Sequence, residues 1–227
     1  ILLEGEPEYS FLRLRIIEKY GFCFPNTDFE VVMMGSKSIL LSDPILFRNF
    51  LLLRDPNVIC FLIPDFHPIT CHGLNHSSLD ALREDIYNKV ERIQKAHNIL
   101  DHKKRYVIHT FKHGGDVIFL ANLEILFREL NIHDEKFIKE IQEECDLRHL
   151  EDLTQDPTKA SHEKRLLKKI FRKANKSYTI KHYHQIIKKL KIETLVNRLP
   201  HLKMFLSDLF GFADEEKLPQ SITDMLI

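Results

Sequence analysis

An uninterrupted apolar run, Val58 to Ile63, restricts the fold of this chain more than any other feature. A strand with one face in water alternates apolar and polar residues, whereas a continuous run of this kind is typical of a strand covered on both faces. The turn-forming residues Asp55-Pro56-Asn57 precede the run, and Pro64-Asp65 follows it. The run therefore predicts a buried strand that ends just before Asp65.

Three other segments have the composition of short strands, and segments with a helical spacing of apolar residues stand between them. The predicted strands are Ile1 to Leu3, Phe29 to Met34 and Tyr106 to Phe111. Two helices carry start signals, which are Ser42 ahead of Asp43-Pro44, and Ser77 or Ser78 ahead of an apolar stripe from Leu79 to Ile93. The alternation predicts an α/β fold, a Rossmann-like and mostly parallel four-stranded sheet flanked by helices.

The C-terminal part of the chain has a different pattern. From Asp134 onward the apolar residues show helical periodicity and no segment has the composition of a strand. A chain of 227 residues can form one substantial core with a smaller addition. We therefore predict an α/β domain of residues 1–132 and a helical C-terminal region of residues 133–227 that packs on it.

The composition, 44% hydrophobic and 29% charged residues, predicts a soluble globular protein. No apolar run approaches the roughly 20 residues that span a bilayer, and the first residues do not resemble a signal peptide, so no membrane association is expected. The four cysteines are scattered and include no CxxC pair. This usage favours a reducing, cytoplasmic location.

Charge is unevenly distributed, although the net charge is zero. Basic residues dominate from Lys159 to Lys191, where only Glu163 opposes them, and residues 134–156 are mostly acidic. The pattern predicts a local basic face, with a solvated helix surface as the alternative. Phe171 and Tyr178 are interleaved with these charges, so they are candidates either for stacking on bases or for core packing.

Three predicted strands are followed by a carboxylate: Glu4 after the first, Asp65 after the apolar run and Asp116 beyond the last. In parallel sheets, ligands bind at the carboxyl ends of the strands. Carboxylate oxygens suit Mg²⁺ or Mn²⁺, and such ions activate water and neutralise the charge on a phosphodiester. The strand ends therefore predict a metal crevice, although each acid alone is also explained as a cap or a turn former.

The opening residues Ile1-Leu2-Leu3-Glu4-Gly5-Glu6-Pro7-Glu8 resemble the first motif of Toprim domains, a strand-end Glu-Gly followed by another glutamate. Ile63 to Pro68 is similar to the second motif, an aspartate after an apolar strand with a proline a few residues on. His113 to Leu120 resembles the third, a histidine with acidic residues before an apolar helix. The chain thus looks like a member of a bacterial Toprim-like family of uncharacterised function, related to the nuclease domains of the overcoming-lysogenisation-defect (OLD) family.

The likeness extends into the C-terminal region and covers nearly the whole chain. Lys164-Arg165, Lys176 and the segment Leu202 to Leu206 are similar to the family's basic pair, later lysine and closing helical segment. Two positions depart from the pattern. His67 stands where many Toprim enzymes have a second aspartate, and Gly114-Gly115 stand where relatives tend to have a glutamate. The site would therefore hold fewer carboxylates than that of a full Toprim nuclease.

The resemblance implies a Toprim-like fold and a nuclease that uses Mg²⁺ or Mn²⁺ to hydrolyse phosphodiester bonds of DNA or RNA. The catalytic residues would be Glu4, Asp65 and Asp116. The metal ligands would come from Glu4, Glu8, Asp65, His67 and Asp116. The phosphate contacts would come from Lys164, Arg165 and Lys176.

A role in bacterial defence against phages or plasmids, beside an ATPase partner and within an oligomer, is implied by the resemblance alone. The main alternative is a catalytically degenerate Toprim-like module that binds an ATPase partner or nucleic acid without cleaving it. Three histidines are additional candidates. His113 lies in the third motif, and the spacing of His72 and His76 beside Cys71 permits a zinc site as a further alternative.

Overall fold

In the computed structural model of this chain, residues 1–66, 70–71, 74–99, 105–110, 115–145 and 162–226 are described. The contacts between Cα atoms divide the chain into two compact units. The first unit comprises Ile1–Glu6 and Glu30–Gly114, and the second comprises Pro7–Phe29 and Gly115–Ile227. The domain boundary near residue 132 stays a prediction.

The first unit contains all the described strands, most of which form one sheet. They are β1 (Leu2–Leu3), β2 (Val32–Met33), β3 (Cys60–Ile63), β4 (Thr70–Cys71), β5 (Leu74–Asn75) and β6 (Tyr106–Ile108). The main sheet has the order β2-β1-β3-β6, and every neighbouring pair is parallel. Leu2 pairs with Val32 on one side and with Leu62 on the other. The predicted α/β class with a parallel four-stranded sheet flanked by helices is confirmed.

Helices make up most of the remaining described chain. They are α1 (Glu6–Phe11), α2 (Glu18–Tyr20), α3 (Lys37–Leu40), α4 (Asp43–Leu52), α5 (Leu79–Ala96), α6 (Asp116–Leu120), α7 (Leu123–Glu129), α8 (Glu135–Glu144), α9 (His162–Lys173), α10 (Ile180–Ile187), α11 (Ile192–Arg198), α12 (Pro200–Phe210) and α13 (Gln220–Leu226). A π-helical segment, Leu12–Ile17, joins α1 to α2. None of the described helices combines the length and the apolar character needed to cross a membrane.

The core of the first unit lies between the sheet and the helices α3, α4 and α5. It includes Leu40, Leu46, Phe50, Leu62, Leu82, Ile86, Val90, Tyr106 and Ile108. Every residue of β3 is buried, as expected for a strand covered on both faces. Helix α5 buries Leu82, Ile86, Val90 and Ile93 of the predicted stripe, while Leu79 at its start is only partly buried.

Local signals locate the helix starts well. Ser42 is the N-cap residue of α4 and Pro44 lies in its first turn, as predicted. Ser78, rather than Ser77, caps α5, because its Oγ accepts a hydrogen bond from the backbone N–H of Ala81 at 3.1 Å. Pro200 is the first residue of α12.

Two features of the fold differ from the sequence-based expectations. The segment before α5, where no strand was predicted, contains a small antiparallel pair, in which Thr70 pairs with Asn75 and Cys71 with Leu74. The helix predicted after the last strand is two helices, α6 and α7, which are separated at Asn122. The Asn122 side chain donates a hydrogen bond to the carbonyl of Lys191 at 3.2 Å, and its backbone is not helical.

We predict that Ser78→Ala lowers the free energy of unfolding by about 1 kcal/mol, because the substitution leaves a first-turn N–H of α5 without its side-chain acceptor. Ser77→Ala is the matched control, since Ser77 is exposed and lies just outside the helix. Its effect should stay within about 0.5 kcal/mol. Urea unfolding curves of the two variants measure the difference, and equal losses would contradict the assignment of the cap.

Candidate functional site

The strand order creates a switch point between β1 and β3. After β1 the chain forms β2, which pairs with one edge of β1, and then β3, which pairs with the opposite edge of β1. In parallel sheets of this kind, the carboxyl ends of the two central strands border a crevice where ligands bind. Glu4 directly follows β1, and Asp65 follows β3 after Pro64. Two of the predicted site residues therefore lie at the switch point.

Glu4 and Asp65 are in direct contact. The backbone N–H of Asp65 donates a hydrogen bond to Glu4 Oε2 at 3.1 Å, and the backbone N–H of Lys37 also donates to the Glu4 carboxylate. Burial raises the pKa of Glu4 above its usual value. The two backbone hydrogen bonds and the charge of Lys37 act against this rise. The structure thus holds the Glu4 carboxylate at the end of β3 by directional contacts.

Lys37 is a site residue that the sequence-based reasoning missed. Its side chain is only 1% exposed, and its Nζ donates a hydrogen bond to the Phe66 carbonyl at 2.6 Å. Burial lowers the pKa of Lys37 to about 8, while the nearby Glu4, Cys71 and Asp65 act in the opposite direction. A buried ammonium is tolerated in proteins when it is paired and hydrogen-bonded. Lys37 therefore compensates the negative charge at the carboxyl edge.

A turn after β2 brings Lys37 to this edge. Gly35 adopts a left-handed backbone conformation with a φ of 79°, and its N–H donates to the Glu4 carbonyl. Ser36 then caps α3 through a hydrogen bond from the Ile39 N–H at 3.3 Å. The Gly-Ser pair after a predicted strand is the sequence signal that could have identified the following lysine as an edge residue.

His76 completes what we call the strand-end cluster, formed by Glu4, Lys37, Asp65 and His76. Its Nε2 lies 2.9 Å from the Phe66 carbonyl oxygen and 3.2 Å from Lys37 Nζ. Burial is the main cause that lowers the pKa of His76, and the charge of Lys37 adds to it. The imidazole is therefore neutral at neutral pH. Its Nδ1 has no hydrogen-bond partner among the residues that the structure describes.

The donor set of the strand-end cluster fits a small divalent ion only in part. Glu4 and Asp65 supply the one or two carboxylates with which proteins typically hold Mg²⁺ alongside waters and substrate phosphates. Across the described ranges, no group of three or more His, Cys, Asp and Glu side chains is arranged to hold a metal ion. A metal at Glu4 and Asp65 would thus depend on water and phosphate oxygens for its remaining ligands.

Asp116 and Glu8 lie in the second unit. Gly115 directly precedes Asp116 in the chain and packs against Glu8. A Cβ atom on Gly115 would approach Glu8 Cδ to 2.6 Å, so the Glu8 side chain packs directly on this glycine. Asp116 Oδ1 accepts a hydrogen bond from the Tyr178 hydroxyl. Burial raises the pKa of Asp116, while Tyr178 and two lysines of α9 act against this rise. The predicted convergence of Glu8 and Asp116 with Glu4 and Asp65 stays a prediction.

Glu163, which the sequence shows only as an acid within a basic stretch, is buried at the start of α9. Its side chain is 2% exposed. Burial raises its pKa to about 7, and the charge of Asp116 adds to the effect. Its burial could not be foreseen from composition, because it depends on the contact between α6 and α9.

The basic residues of the second unit differ in their surroundings. An open pocket is lined by Lys164, Arg165, Lys168, Lys169 and Arg172, all on α9. Lys176 donates a hydrogen bond to the carbonyl of Glu129 at 3.4 Å, and its contact with phosphates stays a prediction. Phe171 is buried and packs against Tyr178, with 5.0 Å between the ring centroids, which agrees with core packing rather than base stacking.

Three candidates from the sequence, His67, His72 and His113, lie outside the described residues. Their proposed roles stay predictions. The described site residues and the sheet order together define an α/β protein that carries a polar cluster at the switch point of a Rossmann-like parallel sheet. Comparison of the chain with protein families, with curated proteins and with solved structures finds no match.

We predict that Gly115→Ala lowers the free energy of unfolding by about 1–3 kcal/mol, because its Cβ would collide with Pro7 Cβ and Glu8 Cδ, both at 2.6 Å. Gly21→Ala is the control within the same unit, since nothing lies within 4 Å of its Cβ position. That variant should be unchanged or more stable by up to about 1 kcal/mol. Denaturant unfolding separates them, and a neutral Gly115→Ala would disprove the close packing on Glu8.

We also predict an effect of pH through Glu163. Between the usual value of 4.5 and the folded pKa of about 7, the folded protein retains a proton that the unfolded chain has lost. The contribution of this group to stability is therefore present below pH 4.5 and is lost as the pH rises through 7. Glu163→Gln should remove that loss, so at pH values above the folded pKa the variant should be more stable than the wild type by about 1–3 kcal/mol.

Unfolding curves at about pH 5 and about pH 8, which lie on either side of the folded pKa of about 7, measure this effect. Glu143→Gln serves as the control, because Glu143 is exposed on α8. If the free energies of unfolding of Glu163→Gln and Glu143→Gln depend on pH in the same way, the buried carboxyl group of Glu163 does not cause the loss of stability at high pH.

Proposed function

We propose that this chain is a nuclease that hydrolyses phosphodiester bonds of DNA or RNA with the help of Mg²⁺ or Mn²⁺. The hydrogen bond from the Asp65 backbone N–H to the Glu4 carboxylate carries the proposal, because it places two acidic residues side by side at the edge where α/β proteins bind ligands. The resemblance of the opening residues to the first Toprim motif supports the same reaction.

In this proposal Glu4 and Asp65 hold the metal ion, and Asp116, Glu8 and His67 remain candidates for further ligands. The metal would lower the pKa of a bound water molecule and would stabilise the negative charge that develops on the phosphate. Glu4 keeps a fixed orientation because the N–H groups of Asp65 and Lys37 donate to its carboxylate.

Lys37 has a positioning role in this proposal. Its ammonium group is too deeply buried to contact a substrate directly, since its side chain is 1% exposed. By bonding the Phe66 carbonyl, it fixes the chain immediately after Asp65. Its charge also offsets the negative charges of Glu4 and Asp65, both of which act on its pKa.

A second candidate function is binding without cleavage. In the described part of the first unit, Glu4 and Asp65 are the carboxylates at the switch point, and His67 replaces the second acid of the motif. A degenerate Toprim-like module of this kind would bind an ATPase partner or nucleic acid. A place in bacterial defence beside an ATPase, within an oligomer in the cytoplasm, belongs to the proposal through the resemblance alone.

We expect Mn²⁺ or Mg²⁺ to raise the melting temperature of the wild-type protein and to support cleavage of labelled DNA or RNA. Glu4→Gln should abolish the stabilisation and reduce cleavage by about 100-fold or more, because it removes a charged ligand. Glu84→Gln, an exposed glutamate of α5 in the same unit, is the matched control and should behave like the wild type.

The outcomes separate the two candidates. Stabilisation by the metal without cleavage of single-stranded or duplex substrates would favour the binding module. A melting temperature that does not respond to either ion, in the wild type and in Glu4→Gln alike, would rule out the metal site.

A further inference from the structure

We propose that one exposed stripe of α9, formed by Lys164, Lys168 and Arg172, binds the phosphate backbone of a nucleic acid strand without regard to base sequence. The inference deepens the proposed function, because it names the surface that would hold the substrate. We call these three residues the α9 stripe.

Helix α9 is fixed to its own unit by its opposite face. Leu166, Leu167, Ile170 and Phe171 are at most 1% exposed, so they anchor the helix in the core. Lys164, Lys168 and Arg172 are exposed and follow one another at intervals of four residues. Residues with this spacing share one face and rise about 6 Å per step along the axis. The α9 stripe is thus a straight row of three charges on a well-anchored support.

The three side chains of the α9 stripe differ from the neighbouring cations. Lys169 contacts Glu140 at 2.9 Å and Glu144 at 2.6 Å, and Lys173 contacts Asp134 at 2.7 Å. None of the three stripe residues forms an ion pair with a carboxylate of the described chain, although the buried Asp116 attracts Lys164 and Lys168. Like charges four residues apart destabilise a helix, and bound anions would remove this repulsion.

The regularity of the row favours nucleic acid over an acidic protein. Successive phosphates along a strand have a fixed separation close to the step of the α9 stripe, whereas carboxylates on protein surfaces have no fixed spacing. Among the residues that the structure describes, neither Phe171 nor Tyr178 offers an aromatic platform beside the α9 stripe, because Phe171 is buried and the Tyr178 hydroxyl is bonded to Asp116. The contacts would therefore be to phosphates only, which position a strand but do not read its sequence.

The test measures binding of a fluorescent oligonucleotide of mixed sequence by anisotropy, in EDTA so that cleavage does not interfere. The triple variant Lys164→Gln/Lys168→Gln/Arg172→Gln should bind at least about 10-fold more weakly than the wild type. The slope of log affinity against log salt concentration should fall by about 2–3, as expected for three lost phosphate contacts. Single-stranded poly-dT should give the same loss as the mixed sequence.

A second triple variant, Lys95→Gln/Lys139→Gln/Lys188→Gln, removes the same charge from exposed lysines that already contact carboxylates. It should retain the affinity and salt dependence of the wild type. Equal losses in both triple variants would show an effect of net charge and would overturn the inference. Melting curves measured by circular dichroism check that both triple variants are folded. If the α9 triple variant is unfolded, the single variant Lys168→Gln replaces it, and its slope of log affinity against log salt concentration should be lower by about 1.

The inference and the nuclease proposal fail in distinguishable ways. Unchanged binding by the α9 variants, with Glu4→Gln still inactive, would overturn the inference and leave the nuclease intact. Lost binding by the α9 variants, with no metal-dependent cleavage by the wild type, would support the α9 stripe and contradict the nuclease. Binding of poly-glutamate by the wild type in place of oligonucleotides would identify an acidic protein as the partner and overturn the inference.

Discussion

The burial of one ammonium group beside two carboxylates is the interaction on which the carboxyl edge of the sheet depends. Lys37 reaches this edge from the first turn of α3, Glu4 from the end of β1 and Asp65 from the end of β3. Two acids brought together in a partly buried place repel each other, and the cost falls when a cation is close. Lys37 supplies that cation from within the chain, and its bond to the Phe66 carbonyl fixes the loop after β3.

The consequence is that the fold itself fixes the position of the Glu4 carboxylate. Glu4 accepts backbone hydrogen bonds from two separate segments, so its carboxylate is oriented by the fold rather than by a substrate. Such preorganisation is what a metal or phosphate site requires, because ordering the donors at the moment of binding would reduce the affinity. In the second unit, the buried apolar face of α9 likewise fixes the helix, while a row of cations is exposed on another face.

Local sequence patterns predicted most of the helices and strands of this fold. Features that depend on contacts between distant residues could not be predicted from them. The continuous run of β3, the stripe of α5 and the Ser-Asp-Pro start of α4 each reflect a property of neighbouring residues, so the sequence contains the whole signal. The break between α6 and α7 does not, because the Asn122 side chain bonds to Lys191, 69 positions further along the chain. The burial of Lys37 was likewise missed, since a lone lysine after a short strand looks like any exposed charge.

The sequence by itself determined that carboxylates follow the first and third strands and that basic residues are concentrated on α9. The tertiary structure decided which of these residues meet. Glu4 and Asp65 are 61 positions apart, and they touch because β1 and β3 are adjacent parallel strands with their ends in register. Strand order and pairing arise from contacts between distant segments, which local periodicity does not encode. For the same reason only the fold could show that Lys37 lies close to both acids, whereas the positions of the acids at strand ends could be predicted from the sequence.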